Sequence, residues 1–382
     1  MQNKRKLTDP KDMKKPRVHF NTKDNMDFVK ELRQRVGLYF KENNISRHAN
    51  TSMRVKTIFM VLLYFTPLAW MLLSPSENLL VNYLEWFLMA LGMSGIGLSI
   101  MHDANHGAYS KNKRTNQLLG YLVNFLGAYH LNWKIQHNVL HHSFTNVHGM
   151  DEDLENGVLR LSPNQPHKKI FKYQIIYAPI MYGLMTLYWV VAKDFLDAIR
   201  YAKEDLLKSQ NITLKRVLWY ISLNKMWYWV LTLILPFVLV SIPWWHIVLG
   251  FLSMHFVTGL ILGFIFQPAH VLEETNFVEL NDSSNIENNW AIHQLLTTAN
   301  FANGNKVFSW LIGCLNFQVE HHLFPHICHI HYPKIAKIVK QTALEFNIPY
   351  KEHKSYLGAI KSHFNLLYKL GTGRHDYLLN PS

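Results

Sequence analysis

Hydrophobic and polar residues alternate along this chain in long blocks rather than singly. Four apolar blocks come close to the roughly 20 residues that a helix needs to cross a bilayer. They cover residues 57–73, 79–101, 221–242 and 245–267. Short polar or turn-forming segments separate the members of each pair, residues 74–78 in the first and Pro243-Trp244 in the second. The pattern therefore predicts two transmembrane hairpins.

Two further apolar stretches are harder to place. Residues 118–131 are too few to span a bilayer and predict a re-entrant or interfacial helix. Residues 173–192 are long enough to span. A span there would put the histidine clusters that precede it and those that follow residue 267 on opposite sides of the membrane. We therefore predict that residues 173–192 lie in the interface and that four helices cross the bilayer.

The two ends of the chain are polar. The first ~25 residues are too polar to bury a core, which predicts disorder. Apolar side chains then recur every four residues from Phe28 to Phe40, as in an amphipathic helix on a membrane surface. The C-terminal third contains amphipathic stretches suited to a helical cap. We divide the chain into a basic N-terminal segment with this helix (residues 1–56), a central domain (residues 57–333) and a C-terminal helical segment (residues 334–382).

Composition and charge support a membrane protein. The chain is 49% hydrophobic, yet its mean hydropathy is −0.05, as expected when apolar blocks are separated by strongly polar ones. Residues 1–56 carry 15 Lys or Arg against six acids and directly precede the first apolar block. Since positive flanks stay in the cytoplasm, we place both termini and the histidine clusters there and expect no nucleic-acid partner. The two cysteines, Cys314 and Cys328, form no disulfide or zinc-ribbon pattern.

Histidines cluster where the predicted spans end. The clusters are His102 with His106, then His137 with His141 and His142, and finally His321 with His322, which Gln318 precedes; His270 follows the last span. Residues four apart share a helix face, so each cluster can direct at least two imidazoles to one place. We predict these eight histidines as metal ligands and leave Gln318 undecided. Other histidines near the clusters are predicted to lie outside the ligand set, namely His130, His148, His293, His326, His329 and His331.

The number of imidazoles favours two metal ions. One ion takes about four to six ligands, so seven or eight clustered histidines exceed what one ion needs. Imidazole binds iron, zinc, copper and nickel, and the ligand type alone therefore leaves the metal open. Four acids lie near the clusters in sequence, and we expect them to orient the ring N–H groups: Asp103, Asp151, Asp153 and Glu320.

The three clusters resemble the histidine boxes of the integral-membrane fatty acid desaturases, HxxxH, HxxHH and [HQ]xxHH. The likeness extends to flanking residues, among them residues 133–137 and Leu323-Phe324-Pro325, and covers residues 57–333. The second cluster here is one residue longer than the family pattern. Gln318 is similar to the first position of the third box in front-end and other acyl-lipid desaturases.

This resemblance implies an all-α integral membrane enzyme. Its four transmembrane helices would form two hairpins, joined by interfacial helices and a cytoplasmic helical cap that carries a di-iron site. The eight histidines would hold two iron ions, with no catalytic residues beyond these ligands. The enzyme would use O2 to insert a double bond into an acyl-lipid or acyl-CoA chain. Without a His-Pro-Gly-Gly haem motif, it would take two electrons from a separate donor, ferredoxin or cytochrome b5.

Two alternatives stay open at this point. A hydroxylase or ketolase on the same scaffold would share the histidine boxes, because hydroxylation begins with the same hydrogen abstraction. A histidine-rich metal transporter would need polar residues at mid-depth in the spans, where His255 is the one clear histidine.

Overall fold

The computed structural model describes residues 17–155, 157–280 and 284–374. Within these residues the protein is mainly helical, as predicted, and its strands are only two residues long. The helices are α1 (Met26–Glu42), α2 (Thr51–Leu73), α3 (Leu79–Asn105), α4 (Lys113–Gly120), α5 (residues 130–144), α6 (Lys169–Lys203), α7 (Leu214–Leu239), α8 (Trp244–His270), α9 (Trp290–Thr297), α10 (Lys306–Leu311), α11 (Gln318–Leu323), α12 (Tyr332–Glu345) and α13 (Tyr356–Thr372).

Several of these helices are not α-helical throughout. Short π-helical segments interrupt four of them, at Ile96–Ile100 in α3, Ile135–His141 in α5, Trp189–Lys193 in α6 and Val230–Ile234 in α7. Separate 3-10 turns occur at Tyr121–Leu126, Lys208–Gln210 and His329–His331, and α6 begins with one at Lys169–Tyr173. Single π turns are frequent at functional sites, and two of these four lie beside or within a histidine cluster.

Five of the described helices are long and apolar enough to cross a membrane: α2, α3, α6, α7 and α8. Four of them correspond to the predicted spans, although α7 ends at Leu239, three residues before the predicted end at residue 242, and α6 contains the residues 173–192 that we place in the interface. The other short apolar stretch, residues 118–131, does not form one helix. It is divided between the end of α4, a 3-10 turn and the start of α5, because Gly127 adopts a positive φ of 82° between them.

Close backbone contacts join the long helices. α8 packs against both α3 and α6, and α2 packs against α3. Glycine permits the approach: a Cβ atom at Gly259 of α8 would lie closer than 3.0 Å to the carbonyl oxygens of Tyr182 and Gly183 on α6. The same is true of Gly92 on α3 against the backbone of Tyr64 on α2. Small residues at these crossings let the helices pack backbone to backbone, as in other membrane bundles.

A helical cap covers the histidine-bearing end of the bundle. The apolar face of α1, with Phe28, Leu32 and Val36, packs against Ile335 and Val339 of α12. The predicted amphipathic helix therefore exists, but the prediction that its apolar face rests on a membrane is wrong, because α12 occupies that face.

Two short parallel strand pairs tie distant segments to the cap. His19–Phe20 pairs with Asn285–Ile286, and Asn300–Phe301 pairs with Glu352–His353. The first pair lies within the stretch predicted to be disordered, so that prediction is wrong for residues 19–20. Residues 1–16 lie outside the described part of the chain.

Candidate metal centre

Four separate elements deliver the eight predicted ligands to one place. His102 lies in the last turn of α3 and His106 directly follows this helix. α5 carries His137, His141 and His142; α8 ends at His270; and α11 carries His321 and His322. All eight side chains form one continuous cluster in which neighbouring ring centroids lie 4.3–5.8 Å apart. The structure thus brings together every residue that the sequence analysis selected.

The first half of the cluster surrounds one position. Ligand nitrogens of His102, His106, His137 and His321 all lie within 4.8 Å of one another. Nε2 of His137 is 2.9 Å from Nε2 of His102 and 3.2 Å from Nε2 of His142. Nε2 of His142 is in turn 3.0 Å from Nε2 of His321. A cation among these converging Nε2 atoms could be coordinated by several of them at once.

The second half lies beside the first. It contains His141, His270 and His322, and His142 with His321 connects it to the first half. Nε2 atoms of His106, His270 and His322 are buried and have no hydrogen-bond partner among the described residues. Unpartnered buried nitrogens are costly unless something else binds them. The donor set is therefore suited to two adjacent metal ions.

The π-helical segment of α5 explains the extra residue in the second cluster. The backbone N–H of His142 donates to the carbonyl of His137, the i→i+5 bond of a π turn. His137 and His142 consequently meet at the first position, whereas His141 points to the second, beside His270 and His322. The π turn thus adds a contact between His137 and His142, while His137 and His141 keep the shared helix face predicted for them, with ring centroids 5.5 Å apart.

Outer hydrogen bonds set the ring orientations. Nδ1 of His141 lies 3.1 Å from Oδ1 of Asp151, and Nδ1 of His322 lies 2.9 Å from Oε1 of Gln294. Nδ1 of His270 faces the carbonyl oxygen of Thr297 at 3.4 Å. Because these oxygens accept from Nδ1–H, they select the tautomer whose Nε2 lone pair points into the cluster.

The electrostatics keep most of these rings neutral. Burial and the neighbouring imidazoles lower the pKa of His106, His137, His142, His321 and His322 well below its ordinary value. A metal-ligating imidazole must be neutral, so this environment prepares the rings for binding.

His141 differs from these rings. Burial lowers its pKa, but the carboxylates of Asp151 and then Asp153 outweigh that effect and raise it to about 9. A metal ion at this position would therefore have to displace a proton from His141.

Two of the four acids have other partners than expected. Asp151 and Asp153 contact His141, as predicted. Asp103 instead accepts from Nδ1 of His329 at 2.8 Å. Glu320 accepts from Asn300 and Tyr350, at 2.8 Å and 3.0 Å. Asp103 and Glu320 therefore anchor the surrounding segments rather than the ligand rings.

Sequence reasoning missed the partners that come from α9. Trp290 donates to the carbonyl oxygen of His142, and Gln294 supports His322. No local signal marks either residue, since each is separated from the box it supports by a long stretch of chain. Gln318, left undecided, is buried beside His270, and its Nε2 has no partner among the described residues.

His255 lies apart from the cluster, in the middle of α8. Its Nε2 is 2.8 Å from the Tyr228 hydroxyl and its Nδ1 is 3.1 Å from Oγ1 of Thr186. Both ring nitrogens are thus satisfied by the helix packing. A transport pathway would need a ligand nitrogen left free at this depth.

Comparison with known proteins agrees with this geometry. Residues 78–354 match the family described as "Fatty acid desaturase". The chain is 35% identical to the sn-1 linoleoyl-lipid 6-desaturase of Synechocystis sp. over 93% of its length and 98% of the relative's. It is 33% identical to the protein of the same description in Arthrospira platensis, over 91% of this chain and 93% of that one.

An acyl-lipid (8-3)-desaturase of Physcomitrium patens is 32% identical over 94% of this chain and 74% of its own length. The family match covers well over half of the chain, and these relatives align along nearly all of it. The resemblance drawn from the histidine boxes is thereby confirmed. The chain belongs to the fatty acid desaturase family, and it is a membrane-embedded oxidoreductase that introduces a double bond into a fatty acyl chain.

Proposed function

We propose that this enzyme is a front-end acyl-lipid desaturase with a di-iron centre. Its metal ligands are the eight histidines His102, His106, His137, His141, His142, His270, His321 and His322. The observation that carries the proposal is their convergence into two adjacent donor sets with inward-facing Nε2 atoms. Imidazole alone does not select iron, but an O2-dependent oxidation requires a redox-active metal, which excludes zinc.

The reaction is balanced by an external reductant. The acyl chain loses two hydrogen atoms, and these together with two protons and two donor electrons reduce O2 to two water molecules. The bound metals supply the oxidising chemistry. The protein holds the ligand rings rigidly through Asp151, Gln294 and the carbonyl of Thr297. Such outer partners typically change metal affinity or activity by about 10–100-fold when they are removed.

Relatives of matching length suggest the substrate. Two of them are described as sn-1 linoleoyl-lipid 6-desaturases and align over more than 90% of both chains. We therefore take a linoleoyl chain esterified in a membrane lipid as the first candidate substrate and position 6 as the first candidate site. The front-end assignment rests on Gln318, which stands at the first position of the third box and lies buried beside His270 of the second donor set.

Fatty acid profiling tests the function directly. Expression in a host whose lipids contain linoleate is expected to yield a triene with a new double bond at position 6, recovered from intact lipids. Gas chromatography with mass spectrometry of derivatised acyl chains locates the bond, and host cells carrying the empty vector are the control. A hydroxylated chain without a new double bond would instead establish the hydroxylase alternative. A new bond at another position would correct the proposed regiochemistry alone.

We also propose the four-span topology, with the metal centre and both termini in the cytoplasm. Both ends of α6 contact the histidine-bearing side of the molecule: Gln174 bonds Arg160, and Arg200 bonds Glu152, the residue after Asp151. One side of α6 exposes apolar residues at helical spacing, among them Ile176, Ile180, Leu184 and Val191. An inclined helix that returns to the cytoplasmic surface, with this side toward lipid, accounts for both features.

The two hairpin turns meet at the opposite end. The Tyr83 hydroxyl near the start of α3 lies 2.8 Å from Nδ1 of His246 near the start of α8. This contact supports a common, non-cytoplasmic position for residues 74–78 and 240–243. The crossing of α2, α3, α7 and α8, but not α6, then leaves every histidine cluster on one side of the membrane.

Cysteine labelling tests this topology. In sealed bacterial cells expressing single variants, a membrane-impermeant maleimide is expected to label Glu77→Cys and Ser241→Cys but not Lys208→Cys, which lies between α6 and α7. Lys208→Cys should react once the cells are permeabilised. The native cysteines, Cys314 and Cys328, are buried, and the unsubstituted protein measures their background. Labelling of Lys208→Cys in intact cells would mean that α6 crosses the membrane.

A further inference from the structure

Two cavities open on the cap, and the larger of them lies beside the metal centre. The larger, of about 400 Å³, lies between α1, the segment before α2, the start of α9 and the segment after α11. Its polar lining residues are Arg33, Arg47 and His326, and none of the described residues that line it is acidic. The second, of about 310 Å³, lies between α1 and α12 and is lined by Arg35 and Lys337. We call the surface that contains both cavities the α1 face.

The charge on the α1 face is only partly neutralised. Arg35 is paired with Glu31 and Glu345. Arg33 and Arg47 are exposed and form no ion pair with any residue of the described part of the chain. Partial burial and then the charges of Arg47 and Arg33 lower the pKa of His326 below its ordinary value. The two guanidinium groups therefore direct positive potential into the larger cavity.

A thin layer of protein separates this cavity from the metal centre. Trp290 lines the cavity, and its indole N–H donates to the carbonyl oxygen of His142 at 3.1 Å. Leu323, another lining residue, directly follows His322 in the chain. The floor of the cavity is thus in contact with the backbone of one proposed ligand on α5 and is continuous with another on α11.

We propose that the α1 face is the docking site of the electron donor, a small acidic one-electron carrier protein whose carboxylates pair with Arg33 and Arg47. The inference rests on the proposed function, because that reaction needs two electrons from outside the chain. Each docking event would pass one electron from the carrier, which is thereby oxidised, to the enzyme, so two events would serve one turnover.

Charge and position together identify this occupant. Complementary charge accelerates the encounter of two proteins and selects the docked orientation. Electron transfer weakens steeply with distance, which favours docking where little protein covers the metals. An anionic lipid headgroup would also be attracted by Arg33 and Arg47, but only an electron carrier would gain from a cavity whose lining residue Trp290 contacts the backbone of the proposed ligand His142. The donor is therefore the favoured occupant, and lipid binding is an outcome that the test distinguishes.

Charge reversal tests the docking site. The full-length, metal-loaded protein is placed in neutral phosphatidylcholine nanodiscs as wild type, as Arg33→Glu/Arg47→Glu, and as the control Lys113→Glu/Arg114→Glu. The control pair is exposed at the start of α4 and lies outside both cavities. Reduced ferredoxin and reduced soluble cytochrome b5 are each mixed with the enzyme, O2 and a linoleoyl lipid, and donor oxidation is followed by stopped-flow absorbance.

The second-order rate with the more effective donor is expected to fall about tenfold or more at low salt in the Arg33/Arg47 variant, and its salt dependence to flatten. The control pair should stay within about twofold of wild type, since distant charges are screened. In enzyme reduced with dithionite, single-turnover product should be unchanged by Arg33→Glu/Arg47→Glu, because this route needs no donor protein.

Three results would overturn the docking site: an unchanged donor rate in the Arg33/Arg47 variant, an equal loss in the control pair, or a wild type that oxidises neither donor. A raised KM for the lipid with an unchanged donor rate would reassign the cavity to a lipid headgroup. If the dithionite-reduced wild type forms no double bond, the proposed function itself fails, and that outcome is separate from the donor-rate comparison.

Discussion

Replacement of His142 by alanine is expected to abolish desaturation and to lower the metal content of the purified protein. Nε2 of His142 lies 3.2 Å from Nε2 of His137 and 3.0 Å from Nε2 of His321. Its ring also stacks on that of His322, with centroids 4.3 Å apart. His142 therefore contributes to the region shared by the two donor sets, and its loss weakens both.

His142→Ala is expected to lower product formation by more than about 100-fold. Removal of even an outer hydrogen-bond partner of a metal ligand typically lowers metal affinity or activity by about 10–100-fold. Product is measured by gas chromatography of cellular lipids, and bound metal by mass spectrometry of the purified protein. The control is His246→Gln, since His246 lies near the start of α8, whose other end carries the cluster residue His270. A His142→Ala enzyme with normal product and two metals per chain would remove His142 from the ligand set.

The second large effect is expected on stability. In Gly259→Leu, the new Cβ would lie closer than 3.0 Å to the carbonyl oxygens of Tyr182 and Gly183, where neither backbone can move independently. Overpacking that forces the backbone to shift costs about 1–3 kcal/mol, and occasionally more. The separation of α8 from α6 would also displace His270, at the end of α8, from the second donor set.

The measurement for Gly259→Leu is the thermal unfolding midpoint in detergent, together with the yield of monodisperse protein. Both are expected to fall strongly. Gly37→Leu in α1 is a matched helical control, because a Cβ at Gly37 meets no atom within 4 Å, and its unfolding midpoint should stay near that of wild type. A stable, monodisperse Gly259→Leu protein would show that α6 and α8 do not pack as closely as described.

The polarity pattern was sufficient to find the long helices. Burial in a bilayer requires continuous apolar stretches, so the blocks at residues 57–73, 79–101, 221–242 and 245–267 coincide with α2, α3, α7 and α8, apart from residues 240–242. The same pattern misjudged α1, whose apolar face matches a membrane surface and a neighbouring helix equally well. Periodicity reveals that one face of a helix is buried, but it does not reveal what covers that face.

Residues 173–192 show a related limit. Their length and hydropathy qualify α6 as a span. What argues for an interfacial position is tertiary: the contacts of Gln174 and Arg200 on the histidine-bearing side. The sequence predicted the same position by a different argument. The histidine clusters before and after α6 can lie on one side of the membrane only if α6 does not cross it, and this argument uses the order of the clusters rather than the properties of the helix.

The sequence by itself determined which histidines to select, because imidazoles at short spacing converge through local helix geometry. It did not determine their pairing. His137 also meets His142 because a π turn replaces an α turn in α5, and backbone hydrogen bonding decides that. Gln294 and Trp290 come from α9, with Trp290 148 positions from His142, and only the folded chain brings them to the ligands. The choice of proposed ligands follows from local spacing in this chain, whereas the orientation and pairing of these histidine rings depend on contacts between segments far apart in sequence.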